Sequence, residues 1–176
     1  SYRGDIAEID HSLIQLGLIK GYLGEVVDEY VSFVNAKSIF EKKGIDITEA
    51  QDPSFSSYRS ALKIWIHGAN GQTLTLGGTL FDDKHPRLTL VNDYFFEAVP
   101  EGQFLVVENE DRKGVVGAVG TYLASADINI DSFELSRNKQ GGKALSLIKV
   151  DGAIDKTLIL ALEKISHVTT AKSIVL

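Results

Sequence analysis

Phe104-Leu105-Val106-Val107-Glu108 runs into Asn109-Glu110-Asp111-Arg112-Lys113-Gly114, and the fold turns on this stretch. The first five residues read as a strand and the next six as a polar loop. Val115, Val119, Tyr122, Leu123 and Ala126 then recur at helical spacing, so a helix is expected over 114–126. A second strand follows over 128–137, with Asn129 near its start. Gln140-Gly141-Gly142 turns the chain into a third strand over 144–150. Leu158, Leu162 and Ile165 mark a helix over 155–166, and 168–176 closes with a strand.

Two βαβ halves within about 75 residues predict a ferredoxin-like βαββαβ sandwich, with four antiparallel strands and both helices on one face. The other face, or an edge strand, is then left to pair with something, and a dimer is expected.

The preceding residues read differently. A short strand is expected over 1–9. Leu13, Leu16, Leu18, Ile19 and Leu23 give one helix, weakened by Gly17, Gly21 and Gly24 unless these admit another backbone. Val31, Val34, Ile39 and Phe40 give a second over 30–43, ending at Gly44. Alternation then indicates strands at 45–47, 60–67, 73–80, 87–91 and 94–99, with Asn70-Gly71 as a hairpin turn. Pro100-Glu101-Gly102 breaks the pattern. An α+β chain is expected, with domains over 1–101 and 103–176.

The chain has 176 residues and a formal charge of −6. Residues 1–102 hold 9 Lys and Arg against 15 Asp and Glu, whereas 103–176 hold 9 against 9. An acidic chain without a basic stripe argues against nucleic acid and anionic membranes as partners. The absence of cysteine excludes disulfides and thiolate metal sites and suits a cytoplasmic location. No apolar run reaches the length of a membrane-spanning helix. The four histidines are scattered without metal-ligand spacing. No dinucleotide fingerprint, phosphate loop or nucleophile elbow is present, so no catalytic residue and no cofactor is assigned to this chain. It opens without Met in a strand-like sequence and is expected to be a piece of a longer protein.

The 109–114 loop carries the chemistry that remains. Asp111 can accept hydrogen bonds from a ligand ammonium group. The Gly114 and Val115 amides are helix-start donors suited to a carboxylate. Asn109 and Asn129 can each donate and accept, which suits a hydroxyl. Together they fit a small zwitterion. The same residues also fit a plainer role, with Asp111 capping the helix and the asparagines forming turns.

Asn109-x-Asp111-Arg112-x-Gly114-Val115-Val116-Gly117, Ile128-Asn129-Ile130, Ala144-Leu145 and Val150-Asp151 resemble an ACT domain, a small-molecule regulatory module of amino-acid metabolism. The family prefers Pro where Lys113 stands, and often His or Tyr where Asn109 stands. Tyr2-Arg3-Gly4, Val34-Asn35-Ala36, Gly44-Ile45, Gly78-Thr79-Leu80-Phe81 and Pro100-Glu101-Gly102 resemble the intervening domain of D-3-phosphoglycerate dehydrogenases.

The resemblance implies a non-catalytic regulatory fragment of an NAD-dependent enzyme of L-serine biosynthesis. L-serine or a similar amino acid would sit between two ACT domains, held by Asn109, Asp111, Gly114 and Val115 of one chain and Asn129 of the other. Self-association through ACT domains and contact with the parent's catalytic domains are implied partners. Arg87 and Lys149 match an anion site seen in some relatives, although Val99 replaces its third basic residue. Alternatively, these modules hold an oligomer together, or belong to an L-serine dehydratase subunit.

Overall fold

In the computed structural model, residues 1–54, 57–82 and 84–176 are described. The chain divides into two compact units, Ser1–Leu62 and Lys63–Leu176.

In the first unit, β1 (Tyr2–Gly4) pairs parallel with β2 (Gln51–Asp52) and antiparallel with the start of β3 (Ser60–His67). The strand expected over 1–9 stops at Gly4, whose φ of 70° turns the backbone into a 3-10 turn, Asp5–Glu8. Helices α1 (Ser12–Gly24) and α2 (Ala36–Lys42) bury Ile19, Leu23, Ala36, Ile39 and Phe40 against one another. The second helix starts six residues later than its apolar spacing suggests. Asn35 explains this, because its Oδ1 accepts from the Ser32 amide at 2.7 Å and from Ser32 Oγ at 3.0 Å. Those bonds hold a turn that competes with helix. Gly17, Gly21 and Gly24 admit no close backbone, since an added Cβ at each would meet nothing within 4 Å. Residues 45–47 form no strand, and β1 pairs instead with Gln51–Asp52. Tyr2 stacks on His11 with ring centroids 3.7 Å apart, and its hydroxyl donates to Glu49 at 2.7 Å.

The second unit continues from β3 through β4 (Thr73–Phe81), β5 (His85–Val91) and β6 (Tyr94–Ala98). β5 begins at His85 and takes in Pro86, two residues earlier than expected. Of the Asp82-Asp83 turn, Asp83 lies outside the described residues. The chain then forms β7 (Gln103–Glu110), α3 (Val115–Ser125), β8 (Asn129–Arg137), β9 (Lys143–Asp151), α4 (Lys156–Leu162) and β10 (Val168–Val175). Strand order β10-β7-β9-β8, antiparallel throughout, is the ferredoxin-like arrangement. α4 ends at Leu162, short of residue 166. Its Asp155 cap accepts from the Leu158 amide at 2.7 Å.

The sheet is buried on both faces. Leu105, Val107, Ile148 and Val150 meet Val115, Val119, Leu123, Leu158 and Leu162 from the helices. Phe104, Leu145 and Leu147 point the other way and meet Tyr94, Phe96 and Ala98 of β6. The face expected to await a partner is therefore covered by the chain's own earlier strands. The physical reason lies in β6, whose alternate residues 94, 96 and 98 are buried while 95 and 97 are not. β6 exposes the amides of Phe95 and Glu97 on its free side, and β8 meets them with side chains. Ser136 Oγ accepts from Phe95 at 3.0 Å and Glu134 Oε2 from Glu97 at 2.8 Å. Residues 100–102, where the sequence suggests a domain boundary, lie inside this unit. Gly102 and Leu176 exchange backbone hydrogen bonds of 3.0 and 2.9 Å.

Candidate functional site

Topology decides what can converge on the 109–114 loop. β7 and β8 both run antiparallel to β9, so they run parallel to each other. The end of β7, the start of α3 and the β8–β9 hairpin therefore share one end of the sheet. Asn129 opens β8 at the opposite end. Along β9, Asn109 lies opposite Ala144 and Asn129 opposite Asp151, a separation of ~23 Å at ~3.3 Å per residue. Within one chain Asn129 does not join the loop. Its amide donates to Asp151 at 2.9 Å instead.

Asp111 does not cap α3. Gly114 is the N-cap, at φ 93° and without a side-chain hydrogen bond to the helix. A residue with Cβ is strained at that φ, so glycine sets how the loop enters the helix. Asp111 is turned toward the β8–β9 hairpin. Its Oδ2 accepts from the Gly141 amide at 2.9 Å and from Arg137 Nη1 at 3.2 Å, while its own amide donates to the Gly142 carbonyl at 2.8 Å. Oδ1 accepts no hydrogen bond among the described residues. The Gly141 amide, and then Arg137, hold the Asp111 carboxyl below its ordinary value of 3.8.

Asn109 is not an exposed turn residue. It is 3% exposed within β7, and its Nδ2 donates to the Glu110 carbonyl at 2.6 Å. The Val115 amide leans back to the Arg112 carbonyl at 3.5 Å, a bond at the limiting length. Several neighbouring groups pair with one another. Glu110 pairs with His167 at 3.0 Å and Arg112 at 3.5 Å, and Glu108 with Lys143 at 2.8 Å. Glu110 is held below its ordinary carboxylate value, first by the His167 hydrogen bond.

The two residues of the second candidate pair are each engaged by their own neighbours. Lys149 Nζ lies 3.2 Å from Asp131 and 3.6 Å from Glu101, so carboxylates already occupy it. Arg87 lies over the Phe81 ring at 5.4 Å and donates to the Pro86 carbonyl at 2.9 Å. Among the described residues Arg87 forms no salt bridge. No group of three or more His, Asp or Glu converges on a metal position among them either, and no helix is long and apolar enough to cross a membrane.

Arg137 and Gly141 are the site residues that sequence spacing does not single out. The signal was nonetheless present. In a βαββαβ sandwich the turn between the second and third strands must fall beside the end of the first.

The strand order and the placement of both helices define an ACT-type βαββαβ module, preceded by a strand-rich α/β partner. Residues 1–92, more than half of the chain, match the family model of the D-3-phosphoglycerate dehydrogenase intervening domain, and the chain belongs to that family. Residues 104–167 match the ACT domain model. Among curated relatives, D-3-phosphoglycerate dehydrogenase of Bacillus subtilis is 28% identical over 98% of this chain and 33% of its own length. The Archaeoglobus fulgidus protein of that name is 31% identical over 84% of this chain and 28% of its own. The Methanocaldococcus jannaschii protein is 27% identical over 98% and 32%. The chain thus spans about a third of the length of these relatives.

Proposed function

We propose that this chain is the regulatory part of a D-3-phosphoglycerate dehydrogenase and that it binds L-serine, or a similar small amino acid, between two ACT domains. The parent enzyme would carry NAD and the catalytic groups on its other domains, in the cytoplasm.

One observation carries the reading. Asn129 and Arg137 are the two ends of β8, one of the two edge strands of the sheet. If β8 pairs antiparallel with β8 of a second copy in the register centred on Phe133, Asn129 of each chain comes opposite Arg137 of the other, beside its Asp111. The groups that one chain holds ~23 Å apart are then brought to one place, twice, by a two-fold axis. Each site offers Asp111 Oδ1 to an ammonium, the start of α3 to a carboxylate, and Asn129 of the second copy to a side-chain hydroxyl. Binding would then fasten two chains, and the ligand would act through its differential affinity for two assemblies.

Calorimetric titration with L-serine, D-serine and glycine tests this, alongside sedimentation with and without ligand. Stereoselective heat together with tighter assembly is expected. The absence of any such heat at millimolar ligand rejects it.

The Arg137–Asp111 contact favours a second reading, in which the module holds an oligomer together and Asp111 serves the hairpin alone. A tight dimer whose assembly and melting ignore serine would support that view. The sequence upstream of Ser1 separates both from a serine dehydratase subunit, since a nicotinamide-binding fingerprint belongs to the dehydrogenase.

A further inference from the structure

We infer that Arg137 sets the concentration at which the amino-acid site responds, by acting as a resident cation on the carboxylate that the ligand's ammonium needs. The inference rests on the binding reading above and extends it to a residue outside the ligand set.

Arg137 ends β8, and its guanidinium contacts Asp111 Oδ2 at 3.2 Å. Arg112 is engaged on Glu110 and Lys143 on Glu108, and Lys113 and Lys139 form no ion pair with Asp111. Arg137 is therefore the cation in contact with Asp111, with Arg112 a weaker and more distant influence. The Gly141 amide shares the same oxygen, so the carboxylate stays aimed whether or not Arg137 is there. Orientation and charge are thus supplied by different groups. The backbone amide orients Asp111, and the guanidinium neutralises it. An ammonium arriving at Oδ1 must share the carboxylate's charge with the guanidinium on Oδ2, so its affinity is lower than the bare carboxylate would give. Arg137 is more than half exposed, and its replacement removes no core contact.

The test is calorimetric titration of L-serine into the wild-type chain, Arg137→Gln and Arg137→Lys. Arg137→Gln is expected to bind ~two- to fivefold more tightly, the size expected of an exposed ion pair. Arg137→Lys keeps the charge and is expected to bind as the wild type does. Unchanged or weaker binding in Arg137→Gln overturns the threshold role and leaves the binding reading intact. Equal tightening in both variants also overturns it, because charge is then not the cause. Heat from none of the three proteins rejects amino-acid binding itself.

Discussion

Phe104 and Leu105 are neighbours in β7, 2% and 0% exposed, and they are buried on opposite faces of one sheet. Leu105 belongs to the core under α3 and α4. Phe104 belongs to the core that joins the sheet to β6. One step along the backbone thus separates two cores built from different parts of the chain.

Truncating each residue should reveal this division. Leu105→Ala is expected to cost ~2–5 kcal/mol and Phe104→Ala ~3–5 kcal/mol, measured by denaturant unfolding. Hydrogen exchange should distinguish them. Phe104→Ala should speed exchange across 94–98, whereas Leu105→Ala should act first on α3 and α4. Equal effects on β6 would refute the two-core description.

Asp111→Ala is expected to lower L-serine affinity at least tenfold while leaving the far-ultraviolet circular dichroism unchanged. The residue lies on a loop and fills no core position. Faster exchange of the Gly141 amide should accompany the loss, since its acceptor is gone. Serine binding within twofold of wild type would show that another group receives the ammonium.

Asn129→Ala should weaken serine-linked dimer tightening more than it weakens the fold. Locally it removes an exposed hydrogen bond to Asp151, worth ~0.5–1.5 kcal/mol. Sedimentation that responds to serine as in the wild type would contradict the cross-chain role.

Asp155→Ala removes the cap of α4 and is expected to cost ~1 kcal/mol, with faster exchange at the Leu158 amide. Serine binding should not change, because α4 contributes no group to the loop. A melting midpoint equal to that of wild type would mean that the cap is not limiting for this helix.

Alkaline titration should report chiefly on Tyr2, with Tyr94, which burial also raises, contributing less. Burial, and then the hydrogen bond to Glu49, push the Tyr2 hydroxyl up to about 12 from an ordinary 10.0. A raised pKa means that the folded state favours the protonated form. That stabilisation is complete below pH 10 and is lost as pH rises toward about 12. Tyr2→Phe should flatten this part of the stability profile. A profile identical to that of wild type would show that Tyr2 ionises like a free phenol.

The second half of the chain was largely legible in sequence because its elements are long and periodic. Val115, Val119 and Leu123 mark one helix face, and the turn at Gly141-Gly142 fixes a hairpin. The first half was less legible for a local reason. Ser32 and Asn35 bond to each other and delay α2, which apolar spacing cannot register. The loop's position was legible, but the aim of its side chains was not. Asp111 obeys the hairpin across the sheet end, a relationship between residues roughly 30 apart that depends on strand order. Tyr94, Phe96 and Ala98 announced a half-buried strand but did not say what would cover it.

β8 answers to several masters at once. Phe133 serves the helix-side core, Glu134 and Ser136 quiet the loose amides of a neighbouring strand, and Arg137 governs a carboxylate around the corner. Its polar residues therefore resemble interchangeable surface chemistry without being so. Drift in this short ribbon should damage folding and the proposed sensing by separate routes, even where no altered residue touches a ligand.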